Sequence, residues 1–130
     1  MSSMVSRPAA AGSAQAIAHF SALLQFETDC WDVQHAISNK RQDFVLLDVR
    51  GETAYAQGHL PEAVCFPHSR ISADTVAGYP ADTLFVVYCA GPHCNGADKA
   101  ALKLAQLQRP VKKMIGGVTG WLDEGFRLIR

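Results

Sequence analysis

Neither sign of charge prevails in this sequence: twelve Lys and Arg stand against twelve Asp and Glu, a formal net charge of +0. Without a basic excess there is no field to hold the chain on nucleic acid or on an acidic membrane surface, and neither is expected as a partner. No apolar run approaches the length of a membrane span. Residues 1–11 carry one charge, Arg7, among small residues and superficially resemble a signal peptide, but Gln15 and His19 interrupt any apolar segment that follows. A cytoplasmic location is expected. Cysteine is sparse as well. Cys30, Cys65, Cys89 and Cys94, in 130 residues that are 48% hydrophobic, do not form a disulfide scaffold, because a chain of this size builds its core by apolar burial; reduced thiols are expected. Trp31 and Trp121 have no basic stripe beside them and read as packing residues. There is no internal repeat.

What is present is an alternation of elements. The runs 44–47 and 84–88 are apolar without a break, as strands covered on both faces require. Residues 1–12 read as a flexible leader and 13–130 as one domain. Ser13 is the expected N-cap of a helix to about residue 24, whose Ile17, Phe20 and Leu24 would pack on the domain. Asp29 is expected to cap a second helix over 30–38, after a short edge strand at 26–28. Residues 52–57 and 72–77 read as short helices, 64–66 as a brief strand stopped by Pro67, and 97–106 as a helix. A last strand is expected at 111–115 and a final helical turn at 121–124. Strands alternating with helices make the class α/β.

Cys89 closes the run 84–88 and is followed by Ala90-Gly91-Pro92-His93-Cys94-Asn95-Gly96, then by a stretch in which Ala97, Ala100, Ala101 and Leu104 share one helical face. The thiol thus sits at a strand's carboxyl end, before a turn that opens into a helix. Free N–H groups of such a turn, together with the helix N-terminus, favour a thiolate over a thiol and make the sulfur nucleophilic near neutral pH. The pattern points to an enzyme with a covalent sulfur intermediate.

Four blocks, in order, resemble the rhodanese-like domains: Leu47-Asp48-Val49-Arg50 with Glu52 and Tyr55; Gly58-His59-Leu60-Pro61-Glu62-Ala63; Val87-Tyr88-Cys89; and Gly116-Gly117-Val118-Thr119-Gly120-Trp121. They span roughly residues 26 to 127, and four ordered blocks are far more specific than one. The resemblance implies an open five-stranded parallel sheet with helices on both faces, and sulfurtransferase chemistry. Cys89 would take a sulfane sulfur from a donor such as thiosulfate or a persulfide, and pass it to a thiophilic acceptor, with no metal and no organic cofactor. It implies a sulfur-binding loop of Ala90, Gly91, His93, Cys94, Asn95 and Gly96, whose N–H groups would stabilise the persulfide; Pro92 has none. Asp48 and Arg50 match the family's paired charges near the site entrance, where Arg50 would orient an anionic donor or hold the loop. The loop departs from the family pattern: many active members carry Arg or Lys within it and Ser or Thr near its end, where this chain has His93, Cys94 and Asn95. Those contacts to thiosulfate are therefore missing. Related phosphatases need an Arg six residues after the cysteine, and position 95 is Asn.

Three alternatives remain open on sequence. A rhodanese-like binding or regulatory module would keep the fold with weak catalysis. A thiol redox switch would use Cys94 as a resolving thiol for Cys89, which requires Cα atoms closer than about 7 Å. A zinc site could use Cys65, His68, Cys89 and Cys94, whose spacings fall within known ligand sets. His93 reads either as a modulator of the neighbouring thiol or as an exposed loop residue. His59 reads as structural, and Cys30 and Cys65 as core thiols. The pair Gly116-Gly117, with no Lys-Ser/Thr after it, reads as a close-approach turn beside the site.

Overall fold

The computed structural model describes residues 1–130. Its five strands are β1 (Glu27–Thr28), β2 (Val45–Asp48), β3 (Val64–Cys65), β4 (Phe85–Tyr88) and β5 (Val111–Met114), and its five α-helices are α1 (Ser13–Phe26), α2 (Cys30–Ser38), α3 (Glu52–Gln57), α4 (Gly96–Gln106) and α5 (Gly117–Asp123). All strand pairs are parallel, in the order β1-β5-β4-β2-β3. The α/β class and the five-stranded parallel sheet are as the sequence pattern indicates. Residues 1–12 contain no helix or strand.

The two apolar runs occupy the centre because they can be buried on both faces. Leu47, Val49, Phe85, Val87 and Cys89 point to one side and pack with Ala97, Ala100 and Leu104 of α4. Leu46, Val86 and Tyr88 point to the other and meet Cys30 and Val33 of α2 and Trp121 of α5. Full burial of a Leu or Phe side chain contributes about 1.5–3 kcal/mol, so these strands carry much of the stability. α2 starts where Asp29 accepts the Asp32 N–H at 2.8 Å.

Several expectations are corrected. Ser13 is the first residue of α1; Gly12 holds the cap position, and no side chain caps the helix. α1 does not bury its apolar side: Ile17, Phe20 and Leu24 are exposed, and the helix is tied down near its end, where Lys112 Nζ donates to Leu24 O at 2.9 Å. Residues 72–77 form turns, since Ser72 and Thr75 exchange side-chain bonds with each other's amides and Thr75 Oγ1 also donates to Arg70 O. Trp31 is 56% exposed, touching Phe126 in a tilted contact, whereas Trp121 is buried. α5 begins at Gly117, four residues earlier than expected, directly after the positive φ of Gly116.

Cys30 is buried beneath α5, its Sγ facing Ile115 O and Gly117 O. Burial, then the charges of Asp29 and Glu124, push the thiol up to about 11 from an ordinary 9.0. Above pH 9 the unfolded chain releases this proton while the folded chain keeps it, so this contribution to stability is present below that pH and lost as pH rises towards about 11. The urea midpoint is expected to fall across that window, less steeply in Cys30→Ala; parallel falls would count against the account.

Candidate functional site

Strand order creates the site. From β2 the chain moves outward to β3, and from β4 it moves outward the other way to β5. Two adjacent parallel strands whose connections diverge leave a crevice at their carboxyl ends, the usual ligand position in open α/β sheets. Here a cleft of about 450 Å³ lies between Val49, Arg50 and Gly51 after β2 and Cys89, Ala90, Cys94, Asn95 and Gly96 after β4.

Cys89 is 7% exposed on the cleft wall, and its Sγ is bonded to that of Cys94, with Cα atoms 6.4 Å apart. The expectation of four reduced thiols is thus corrected: Cys30 and Cys65 are free, and Cys89 and Cys94 are paired. The loop that brings the two sulfurs together is closed by Cys94 N–H donating to Gly91 O at 3.1 Å. It is anchored from α5, where Val118 N–H donates to Cys89 O at 3.1 Å and Thr119 N–H to Ala90 O at 3.0 Å. Of the six amides expected to face a bound sulfur, that of Cys94 is spent on Gly91; those of Ala90, Gly91, His93, Asn95 and Gly96 make no hydrogen bond to the protein. His93 and Asn95 are exposed, Cys94 half-buried.

Two glycines shape the loop by close approach. A methyl built on Gly96, the first residue of α4, would lie 2.8 Å from Cys89 Sγ and 3.5 Å from Cys94 Sγ. One built on Gly117, whose φ is +57°, would lie 2.5 Å from Cys89 O and 2.8 Å from Gly91 N. The Gly116-Gly117 turn is the close-approach turn read from the sequence.

Arg50 lines the cleft and, with Asp48, ties a neighbouring turn in place, in line with the second of the two roles read for it. Asp48 is fully buried. It accepts Arg50 Nε at 3.0 Å, Arg50 Nη2 at 2.7 Å, Arg50 N–H at 3.0 Å and the Tyr88 hydroxyl at 2.8 Å. Arg50 Nη2 also donates to Gly58 O at 2.7 Å, and Leu60 N–H donates to the Tyr88 hydroxyl at 3.1 Å. The network locks the ends of β2 and β4 to the Gly58-His59-Leu60 turn. Hydrogen bonding to Asp48 holds the Arg50 guanidinium charged more firmly than usual, and burial, followed by the Asp48 charge, pushes the Tyr88 phenol up so that it stays a donor. His59 is structural: its Nδ1 lies 2.9 Å from Tyr55 O and its ring stacks on Tyr55.

Sequence reading missed Pro67 and Ser69 on the cleft's other wall and singled out His68 there only as a candidate metal ligand; the three lie at the 3-10 turn His68–Arg70. Lys103 Nζ holds that turn by donating to His68 O at 2.7 Å. The available signal was positional: these residues follow β3, and β3 runs parallel beside β2, so its carboxyl end reaches the same edge. Cys65, read as a core thiol, is half-buried on edge strand β3, and burial followed by Asp48 and Glu52 raises it above its ordinary value. Of the four candidate zinc ligands, His68, Cys89 and Cys94 line the same cleft and Cys65 is not among its lining, and no three His, Cys, Asp or Glu side chains are placed to hold a metal ion.

Comparison with known proteins agrees with this fold. The BH2092 protein of Bacillus halodurans superposes with a TM-score of 0.87 at 36% identity, over 91% of this chain and 86% of that one. The rhodanese-like domain of Alr3790 from Anabaena superposes with a TM-score of 0.70 at 21% identity, over 79% of this chain and 77% of that one, a likeness of fold. Among curated proteins, the HTH-type transcriptional regulator Rv0324 of Mycobacterium tuberculosis is 33% identical over 89 residues, which are 64% of this chain but only 39% of the regulator's length. The sequence pattern of the rhodanese-like domain matches residues 32–124, and with that match across most of the domain the chain belongs to the rhodanese-like family.

Proposed function

We propose that the protein is a sulfurtransferase that carries sulfane sulfur as a persulfide on Cys89. The observation that carries this reading is the placement of Cys89 on the wall of the switch-point cleft, in a loop with five amides that the protein leaves unbonded. Once the bond to Cys94 is reduced, the Cys89 thiolate attacks the sulfane sulfur of the donor. A new S–S bond forms at Cys89, and the donor's bond breaks, its electron pair leaving with sulfite from thiosulfate or with a thiolate from a persulfide. The acceptor then attacks the outer sulfur and restores the Cys89 thiolate, which divides the transfer into two easier displacements. The open amides supply fixed dipoles for the anionic persulfide. The loop contains no Lys or Arg and Arg50 is committed to Asp48, so the doubly charged thiosulfate finds no loop cation to pair with.

The test is sulfur uptake. The reduced protein, incubated with thiosulfate or with a persulfide donor, should gain one sulfur by intact mass. Cys89→Ser is expected to abolish the gain. Uptake that survives this change would remove the mechanism.

The Cys89–Cys94 bond favours a second reading, a thiol redox switch, and the likeness to part of a transcriptional regulator supports a regulatory setting for it. Mild oxidant would then remove two hydrogens from the reduced wild type and none from Cys94→Ser; equal losses in both would rule the switch out.

A further inference from the structure

We infer that Cys94 resolves the Cys89 persulfide and releases its outer sulfur as hydrosulfide, which gives the site a sulfane-reducing activity beyond group transfer. The inference rests on sulfur carriage at Cys89. The loop turn closed by Cys94 N–H and Gly91 O holds Cys94 Sγ within bonding reach of Cys89 Sγ. Gly96, beside both sulfurs, has no side chain to separate them; a methyl there would intrude on Cys89 Sγ at 2.8 Å.

A persulfide offers an attacking thiolate two sulfurs. Attack on the outer one moves the cargo to Cys94 and expels the Cys89 thiolate. Attack on the inner one forms the Cys89–Cys94 bond and expels hydrosulfide. The loop presents Cys94 to Cys89 Sγ, which is the inner sulfur, and attack there makes hydrosulfide the leaving group. In this step the Cys94 Sγ–Cys89 Sγ bond forms and the bond from Cys89 Sγ to the sulfane sulfur breaks. The electron pair leaves with the sulfane sulfur, which takes the proton given up by the Cys94 thiol, so that the anionic persulfide's outer sulfur departs as hydrosulfide. The sulfane sulfur gains two electrons, and the two cysteines lose them. The product is the paired state seen in the structure. A further turnover needs a small-molecule thiol or a protein dithiol as reductant. Of the paired sulfurs, half-buried Cys94 is the more open to it than Cys89 at 7% exposure, and attack there frees Cys89 as the thiolate.

The protein is reduced with a phosphine, desalted without oxygen and mixed with one equivalent of glutathione persulfide, with no thiol added. Hydrosulfide is trapped by alkylation, and the protein is weighed intact. Wild type is expected to release one hydrosulfide per chain and to end two hydrogens lighter than its reduced form. Cys94→Ser and Cys94→Ala should end one sulfur heavier and lose hydrosulfide release. If wild type itself stays one sulfur heavier and releases none, the resolving role of Cys94 is overturned while carriage on Cys89 stands. If neither Cys94 variant takes up sulfur although each melts as cooperatively as wild type, both ideas fall together.

Discussion

Asp48→Ala is expected to cost about 3–5 kcal/mol, the cost of breaking a buried ion pair by removing one partner. That is a large part of the roughly 5–15 kcal/mol that holds a domain folded. The substitution removes the shared acceptor of three donors at once: the Arg50 guanidinium, which is only 14% exposed and would keep only Gly58 O, the Arg50 amide and the buried Tyr88 hydroxyl. Asp48→Asn keeps the shape and one acceptor oxygen, so a smaller loss is expected. Urea unfolding of the three proteins checks the order. A loss below about 1 kcal/mol for the alanine variant, the scale of an exposed pair, would show that the network does not join β2, β4 and the Gly58-His59-Leu60 turn in the way described.

Gly117→Ala should be the most damaging single-methyl change in the chain. Its φ of +57° costs a residue with a Cβ about 1–2 kcal/mol. The added methyl also meets Cys89 O at 2.5 Å and Gly91 N at 2.8 Å, backbone atoms of the loop 89–96 that cannot rotate away. Overpacking of that kind costs about 1–3 kcal/mol more and shifts the loop, so sulfur uptake by Cys89 should fall along with stability. Gly125→Ala is the control. It has a φ of +84° with nothing within 4 Å, so it should show only the backbone cost and leave uptake unchanged. Equal behaviour of the two variants would mean that α5 does not set the position of the loop.

Much of the fold was legible because the determining signals are local. The unbroken apolar runs marked β2 and β4 to within a residue, Asp29 marked the start of α2, and α3 lies over the span its sequence indicated. The errors occur where side chains compete with the backbone or where packing decides. Ser72 and Thr75 bond each other's amides and divert a helix into turns. The apolar side of α1, with Ile17, Phe20 and Leu24, stays exposed, since amphipathic spacing marks a helix without saying what covers its apolar face.

By itself the sequence determined the α/β class, the family and the position of Cys89 at a strand tip before a glycine-bearing turn, since each depends on residues adjacent along the chain. Only the tertiary structure decided that Asp48 is buried beneath Arg50 and Tyr88, that His68 and Ser69 form the cleft's second wall, and that Cys94 meets Cys89 while Cys65 does not. Those outcomes depend on strand order and on the anchoring of the loop by α5, which join residues up to dozens of positions apart. Contacts of that range follow from how the sheet is assembled and leave no local pattern to read.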